Sequence, residues 1–138
     1  MNLGCIQILK DHKLRTTRFR VEVLELFMKS PHSALSNQDL EDQLDDCDRI
    51  TLYRTLKSFE KAEIIHQVID GSKVSKYALC HSNCAIHDHQ EDHAHFLCNS
   101  CGKTYCIAET SKIDLKIPEN YKLERIHLAL TGICANCN

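Results

Sequence analysis

Cys98-Asn99-Ser100-Cys101-Gly102, answered near the end of the chain by Cys134-Ala135-Asn136-Cys137, decides how this sequence is read. Two residues between cysteines let both sulfurs turn inward on one tight loop, and Gly102 permits the backbone to turn at the end of the first pair. Two such loops supply four thiolates, a closed tetrahedral set that suits Zn2+. The gap between the pairs is longer than in a compact zinc ribbon, so the site clips the tail back onto an earlier hairpin. A redox Cys-x-x-Cys opens a helix beside a βαβ pattern, and none is read here. The expectation is a structural zinc on Cys98, Cys101, Cys134 and Cys137.

Working outward, Cys 9 and His 9 in 138 residues far exceed ordinary usage. Their distribution changes near residue 80. Only Cys5 and Cys47 precede it; Cys80, Cys84, Cys98, Cys101, Cys106, Cys134 and Cys137 follow, with His81, His87, His89, His93, His95 and His127. Halves of this size bury little apolar surface and recruit a metal or a partner chain to compensate. No apolar run approaches a membrane span, and Met1 opens without a signal-peptide pattern. The expectation is a cytoplasmic chain whose thiols stay reduced and serve as ligands.

The part before residue 80 reads as helices followed by a hairpin. Val21, Leu24 and Phe27 repeat at helical spacing until Pro31 breaks the pattern. Ser36 with Asp39 resembles a capping box ahead of Leu40 and Leu44. Asp48 caps a helix whose Leu52, Leu56 and Phe59 share a face. Ile65–Ile69 and Val74–Leu79 read as strands around the turn Asp70-Gly71-Ser72-Lys73. Three helices and a hairpin are the order of a winged helix-turn-helix. Net charge is -2, but Lys10, Lys13, Arg15, Arg18 and Arg20 form one local basic patch. On charge alone that patch equally describes a solvated helix face.

The later part reads as a small α/β unit. His95–Leu97 and Tyr105–Ile107 are strands flanking the first cysteine pair, Thr110–Leu115 is a short helix, and Leu123–Ile133 is a strand with Ile126, Leu128 and Leu130 on one face. A second copy would cover that apolar face, which points to a homodimer. The expected class is therefore α+β. Residues 1–80 form a winged-helix DNA-binding domain, 81–92 a His/Cys-rich hinge, and 93–138 a metal-binding dimerisation domain.

These motifs, in this order, resemble the ferric uptake regulator superfamily. His93-Ala94-His95-Phe96-Leu97-Cys98-x-x-Cys101-Gly102 is similar to its His-x-His-x-x-Cys-x-x-Cys-Gly signature. Thr51-Leu52-Tyr53-Arg54-Thr55-Leu56 resembles its recognition-helix motif, Leu14-Arg15-x-Thr17-x-x-Arg20 its N-terminal entry, and Gly132-Ile133-Cys134-x-x-Cys137 its closing motif. The resemblance implies a cytosolic homodimeric repressor that binds a divalent metal and then clamps a palindromic double-stranded DNA operator. Carried over by position, it implies that Tyr53 and Arg54 meet the operator, with Thr51 at the helix start and Arg15 toward the backbone or minor groove. From the residues alone Tyr53 fits a core position as well, and Arg54 a pairing with an acidic neighbour.

A sensing site is implied near the hinge, and here the sequence departs from the iron sensors. His93 and His95 lie two apart on a strand, so both rings face one side. Cys106 and Ala78 stand where iron sensors carry glutamates. A second His-Asp site is broken: its positions read Asp92, Ala94 and Ile126, with His127 shifted by one onto the other face. His127 therefore reads as a surface histidine. Thiolate with imidazole suits Zn2+ better than Fe2+ or Mn2+. The expected regulatory set is His93, His95, Cys80 and Cys106, with His66 tying the wing to the metal; Cys84, in place of Cys80, stays open. Cys84, His87 and His89 fit a linker that collects metal loosely. The alternatives are an iron or peroxide sensor of the same family, a zinc hydrolase or thiol oxidoreductase, and a zinc-bearing interaction module without DNA. Glu91 and Asp92 beside His93 offer an enzyme a base, but no segment offers a substrate pocket, so no catalytic residue is expected.

Overall fold

The computed structural model describes residues 2–80, 94–107, 115–124 and 127–138. Over them the chain is α+β. Its helices are α1 (Leu3–Asp11), α2 (Arg18–Lys29), α3 (Asn37–Gln43) and α4 (Arg49–Lys61). Its strands are β1 (Ser33–Ser36), β2 (Ile65–Val68), β3 (Lys76–Leu79), β4 (Ala94–Cys98), β5 (Thr104–Ile107) and β6 (Leu128–Gly132).

Local chemistry sets the helix starts. Asn2, Thr17, Ser36 and Asp48 each accept hydrogen bonds from first-turn N–H groups, satisfying donors that have no partner inside the helix. At α3 the reciprocal capping box is complete: Asp39 N–H donates to Ser36 Oγ at 3.1 Å, and Ser36 N–H to Asp39 Oδ2 at 2.9 Å. The apolar stripes meet in one core around Leu9, Leu24, Phe27, Leu40, Leu52, Leu56, Phe59 and Ile65, the main source of stability for the helical half.

Two elements were not expected. Helix α1 carries only two buried residues, Cys5 and Leu9, one turn apart, too faint a stripe to read. Strand β1 has four residues, Ser-Ala-Leu-Ser, too short for alternation to show. A third differs in extent: β6 begins at Leu128, and the described residues 115–124 hold no helix or strand. Polar Lys122 and Glu124 around Leu123 interrupt the alternation there. The hinge 81–92 and most of the Thr110–Leu115 helix lie outside the described residues.

All six strands join one sheet in the order β2-β3-β1-β5-β4-β6. β1 is its centre, pairing antiparallel with β3 through Leu35 and Ser36, and with β5 through Ser33 and Ala34. β4 pairs antiparallel with β5 and parallel with β6. The wing hairpin β2–β3 and the cysteine hairpin β4–β5 are thereby parts of one surface.

Candidate metal centres and nucleic-acid interface

The four cysteines expected to hold zinc converge. The sulfurs of Cys98, Cys101, Cys134 and Cys137 all lie within 4.8 Å of one another. Cys98 ends β4, and Gly102, at φ 74, turns the chain just after Cys101, a conformation glycine adopts freely. The tail is delivered by β6, whose Gly132 pairs with Cys98. A Cβ on Gly132 would sit 3.0 Å from the Phe96 ring, so glycine lets β6 approach this closely without the ring shifting.

The donor set fits zinc. Sulfurs each about 2.3 Å from one Zn2+ in a tetrahedron have edges of about 3.8 Å, and Cys101 Sγ stands 3.9 Å from Cys134 Sγ. Cys98 is poised as a thiolate: N–H groups of Cys101 and Cys134 point at its sulfur from 3.5 and 3.3 Å and lower its pKa to about 6 against the opposing effect of burial. Tyr105 Oη donates to Cys134 Sγ across 3.7 Å. That bond to sulfur raises the tyrosine to about 12. Tyr105 was not singled out in the sequence; its only signal is its place beside Cys106 on the strand leaving the first pair.

A second cluster lies between the two hairpins. Ligand atoms of His66 on β2, His95 on β4 and Cys106 on β5 all lie within 4.8 Å of one another. His95 and Cys106 are register partners, and the rings of His66 and His95 are 6.0 Å apart. Cys80, just past β3, places its sulfur 3.3 Å from His66 Nδ1. Four members of the expected regulatory set thus come together from four segments. The fifth, His93, lies outside the described residues, as do Cys84, His87 and His89. Ala78 is buried opposite His66, and His127 is on the surface. The N–H of Cys106 donates to the carbonyl of His32 at 2.7 Å, so this cluster is tied to the start of β1 as well.

On α4 the buried residues are Leu52, Thr55, Leu56 and Phe59. The opposite stripe, at positions i, i+3, i+4 and i+7, is Ile50, Tyr53, Arg54 and Lys57, all exposed. Tyr53 is 55% exposed, which rules out the core position; Lys57 Nζ sits 5.5 Å from its ring centre. Arg54 is exposed, as is Arg15 before α2. Thr51 lies at the edge of this stripe, and its hydroxyl donates to Asp48 Oδ2 at 2.7 Å, so it serves the cap. Sequence reading passed over Ile50, 62% exposed. Its signal was an apolar residue on the wrong side of an apolar stripe. No helix among the described residues is long and apolar enough to cross a membrane.

A family model described as the Ferric uptake regulator family matches residues 11–131. The Ferric uptake regulation protein of Neisseria gonorrhoeae is 31% identical over 140 residues, spanning 94% of this chain and 90% of that one. Among solved structures, a zinc uptake regulator complexed with zinc and DNA superposes with a TM-score of 0.65 at 23% identity, over 98% of this chain and 91% of the other. The Vibrio cholerae ferric uptake regulator gives 0.62 at 23% identity, over 93% and 98%. Matched over most of its length, this chain belongs to the ferric uptake regulator family, whose members are metal-responsive DNA-binding transcription regulators and not enzymes.

Proposed function

We propose that this chain is a zinc-responsive repressor acting as a cytoplasmic homodimer on a palindromic operator. The carrying observation is the chemistry of the second cluster: imidazoles of His66 and His95 with the thiols of Cys106 and Cys80. Sulfur with imidazole selects Zn2+ over Fe2+, which favours carboxylate-containing sites. His93, two residues from His95, completes the set in this reading. Cys98, Cys101, Cys134 and Cys137 hold a structural zinc, which when bound supplies the link between tail and hairpin. Residues 1–80 bind DNA, 81–92 form the hinge and 93–138 dimerise. The exposed Leu115, Ile117, Tyr121, Leu123, Leu130 and Ile133 give the partner copy an apolar face to cover.

The residues explain the coupling. His66 belongs to the wing, His95 and Cys106 to the cysteine hairpin. Drawing them together fixes the wing against the dimerising half, and with it the separation of two α4 helices in a dimer. Only one separation meets half-sites a helical turn (about 34–36 Å) apart, or a multiple of it. Tyr53, Arg54 and Arg15 then face the duplex, with Thr51 reduced to a cap that steadies the start of α4.

Gel-shift titrations of the full-length protein with Zn2+, Fe2+ and Mn2+ test the reading. Zinc is expected to raise operator affinity at lower free concentration than the other two. The zinc effect is expected to vanish in Cys106→Ser, while about one zinc per chain remains bound. Stronger activation by iron would return the chain to the iron sensors among its relatives. Equal affinity with and without any metal would end the reading.

A further inference from the structure

Asp70 and Lys76 are charged residues placed inside the molecule, and the metal clusters do not use them. Their side chains are 1% and 9% exposed, and Lys76 Nζ stands 3.0 Å from Asp70 Oδ2. Lys76 also donates to Thr104 Oγ1 at 2.7 Å and to the Gly102 carbonyl at 3.3 Å. The Thr104 hydroxyl in turn donates to Asp70 Oδ2 at 2.6 Å. The other carboxylate oxygen, Oδ1, accepts the Ser72 N–H at 2.8 Å and the Ser72 hydroxyl at 2.6 Å. Each polar group of the triad is therefore bonded.

Where these residues sit gives the network its meaning. Asp70 and Ser72 form the turn of the wing and Lys76 opens β3. Gly102 and Thr104 carry the chain from Cys101 into β5. The wing and the cysteine turn are thus joined by side chains far apart in sequence, alongside the ladder that β1 makes with β3 and β5. A buried ion pair is weak evidence for stability, since desolvating two charges offsets their attraction. What it does supply is geometry, because a half-made network in a low dielectric is strongly disfavoured.

We propose that Asp70, Lys76 and Thr104 form a buried latch that positions the wing on the cysteine turn, so that the two hairpins supplying the second cluster move as one body and its closure reaches the DNA-binding half. Lys76, through its bond to the Gly102 carbonyl, is the residue that ties the wing to the turn. The latch is a set of positioning residues that touch neither DNA nor metal. Its effect on DNA affinity rests on the regulator reading above; its existence as a mechanical link does not.

The experiment uses full-length protein: wild type, Thr104→Val, Thr104→Ser and the apolar replacement Asp70→Leu with Lys76→Met, which leaves no lone buried charge. The probe is a duplex selected from a random pool by the zinc-loaded wild type. Thr104→Val and the double variant are expected to keep the dimer and the structural zinc. Their zinc-induced gain in affinity for that duplex should fall about tenfold, within the usual range of coupling between sites. Amide hydrogen exchange in residues 65–79 should quicken. Thr104→Ser, which keeps the hydroxyl, should behave as wild type. Unchanged coupling and unchanged exchange in both Thr104→Val and the double variant would overturn the latch. If the wild type selects no duplex, the regulator reading falls, and exchange alone decides: faster wing exchange supports the latch, and equal exchange refutes it.

Discussion

Ile50 shows what a single side chain discloses about recognition. It stands among Tyr53, Arg54 and Lys57 on the exposed stripe of α4, where an apolar group matches the 5-methyl of thymine in the major groove. Burying one methyl contributes about 0.8 kcal/mol, roughly fourfold in affinity. Replacing the facing dT by dU in the operator should weaken the wild type by that factor and leave Ile50→Ala indifferent. Equal losses in both proteins would remove Ile50 from the interface. The clustering of the four cysteines, and of His66, His95 and Cys106, was legible because spacing and residue type carry their chemistry. Asp70, Lys76 and Thr104 were not. A lysine in an alternating strand looks like a surface residue, and only the tertiary approach of the cysteine turn buries it.

At the scale of elements, capping was readable and β1 was not. Ser36 and Asp39 announced α3 because a capping box is local chemistry. The strand that Ser36 ends gains its identity from two distant partners, β3 and β5, and no local pattern reports those. Ser36→Ala is expected to lower unfolding stability by about 1 kcal/mol, the usual loss for an N-cap. Denaturant melts read this directly, with the midpoint falling at unchanged slope. A neutral result would mean that packing of Leu40 alone holds α3. Helix α4 was read correctly in type and in its start because its cap and its buried stripe agree.

For the whole molecule, acid and chelation probe different joints. Burial opposes ionisation of Asp70, but bonds from Ser72, Thr104 and Lys76 outweigh it and hold the carboxyl well below the ordinary aspartate range. A depressed folded pKa contributes stability that is fully present above the unfolded value of about 3.9 and is lost as pH falls through the folded one. Unfolding free energy should therefore drop on acidification below about pH 4, and less steeply in Asp70→Asn; parallel slopes would show that the carboxylate is not linked to folding. Chelation acts on the cysteines. Stripping the zinc proposed for Cys98, Cys101, Cys134 and Cys137 should free the tail and loosen β6, since metal-binding energy is folding energy in such sites. Exchange of amides 128–138 should rise first, with the core around Phe27 and Phe59 holding longer; simultaneous loss of both would make the molecule a single cooperative unit.

β1 meets each neighbour through only two residue pairs. Each backbone hydrogen bond there contributes about 0.5–1.5 kcal/mol net, a sum that thermal agitation and a modest ligand can contest. The backbone ladder is thus a thin part of the seam between helical and cysteine-bearing portions, and side chains such as Asp70, Lys76 and Thr104 supply the rest of its hold. In a protein built this way, altering a few side chains should loosen the join without unmaking either portion.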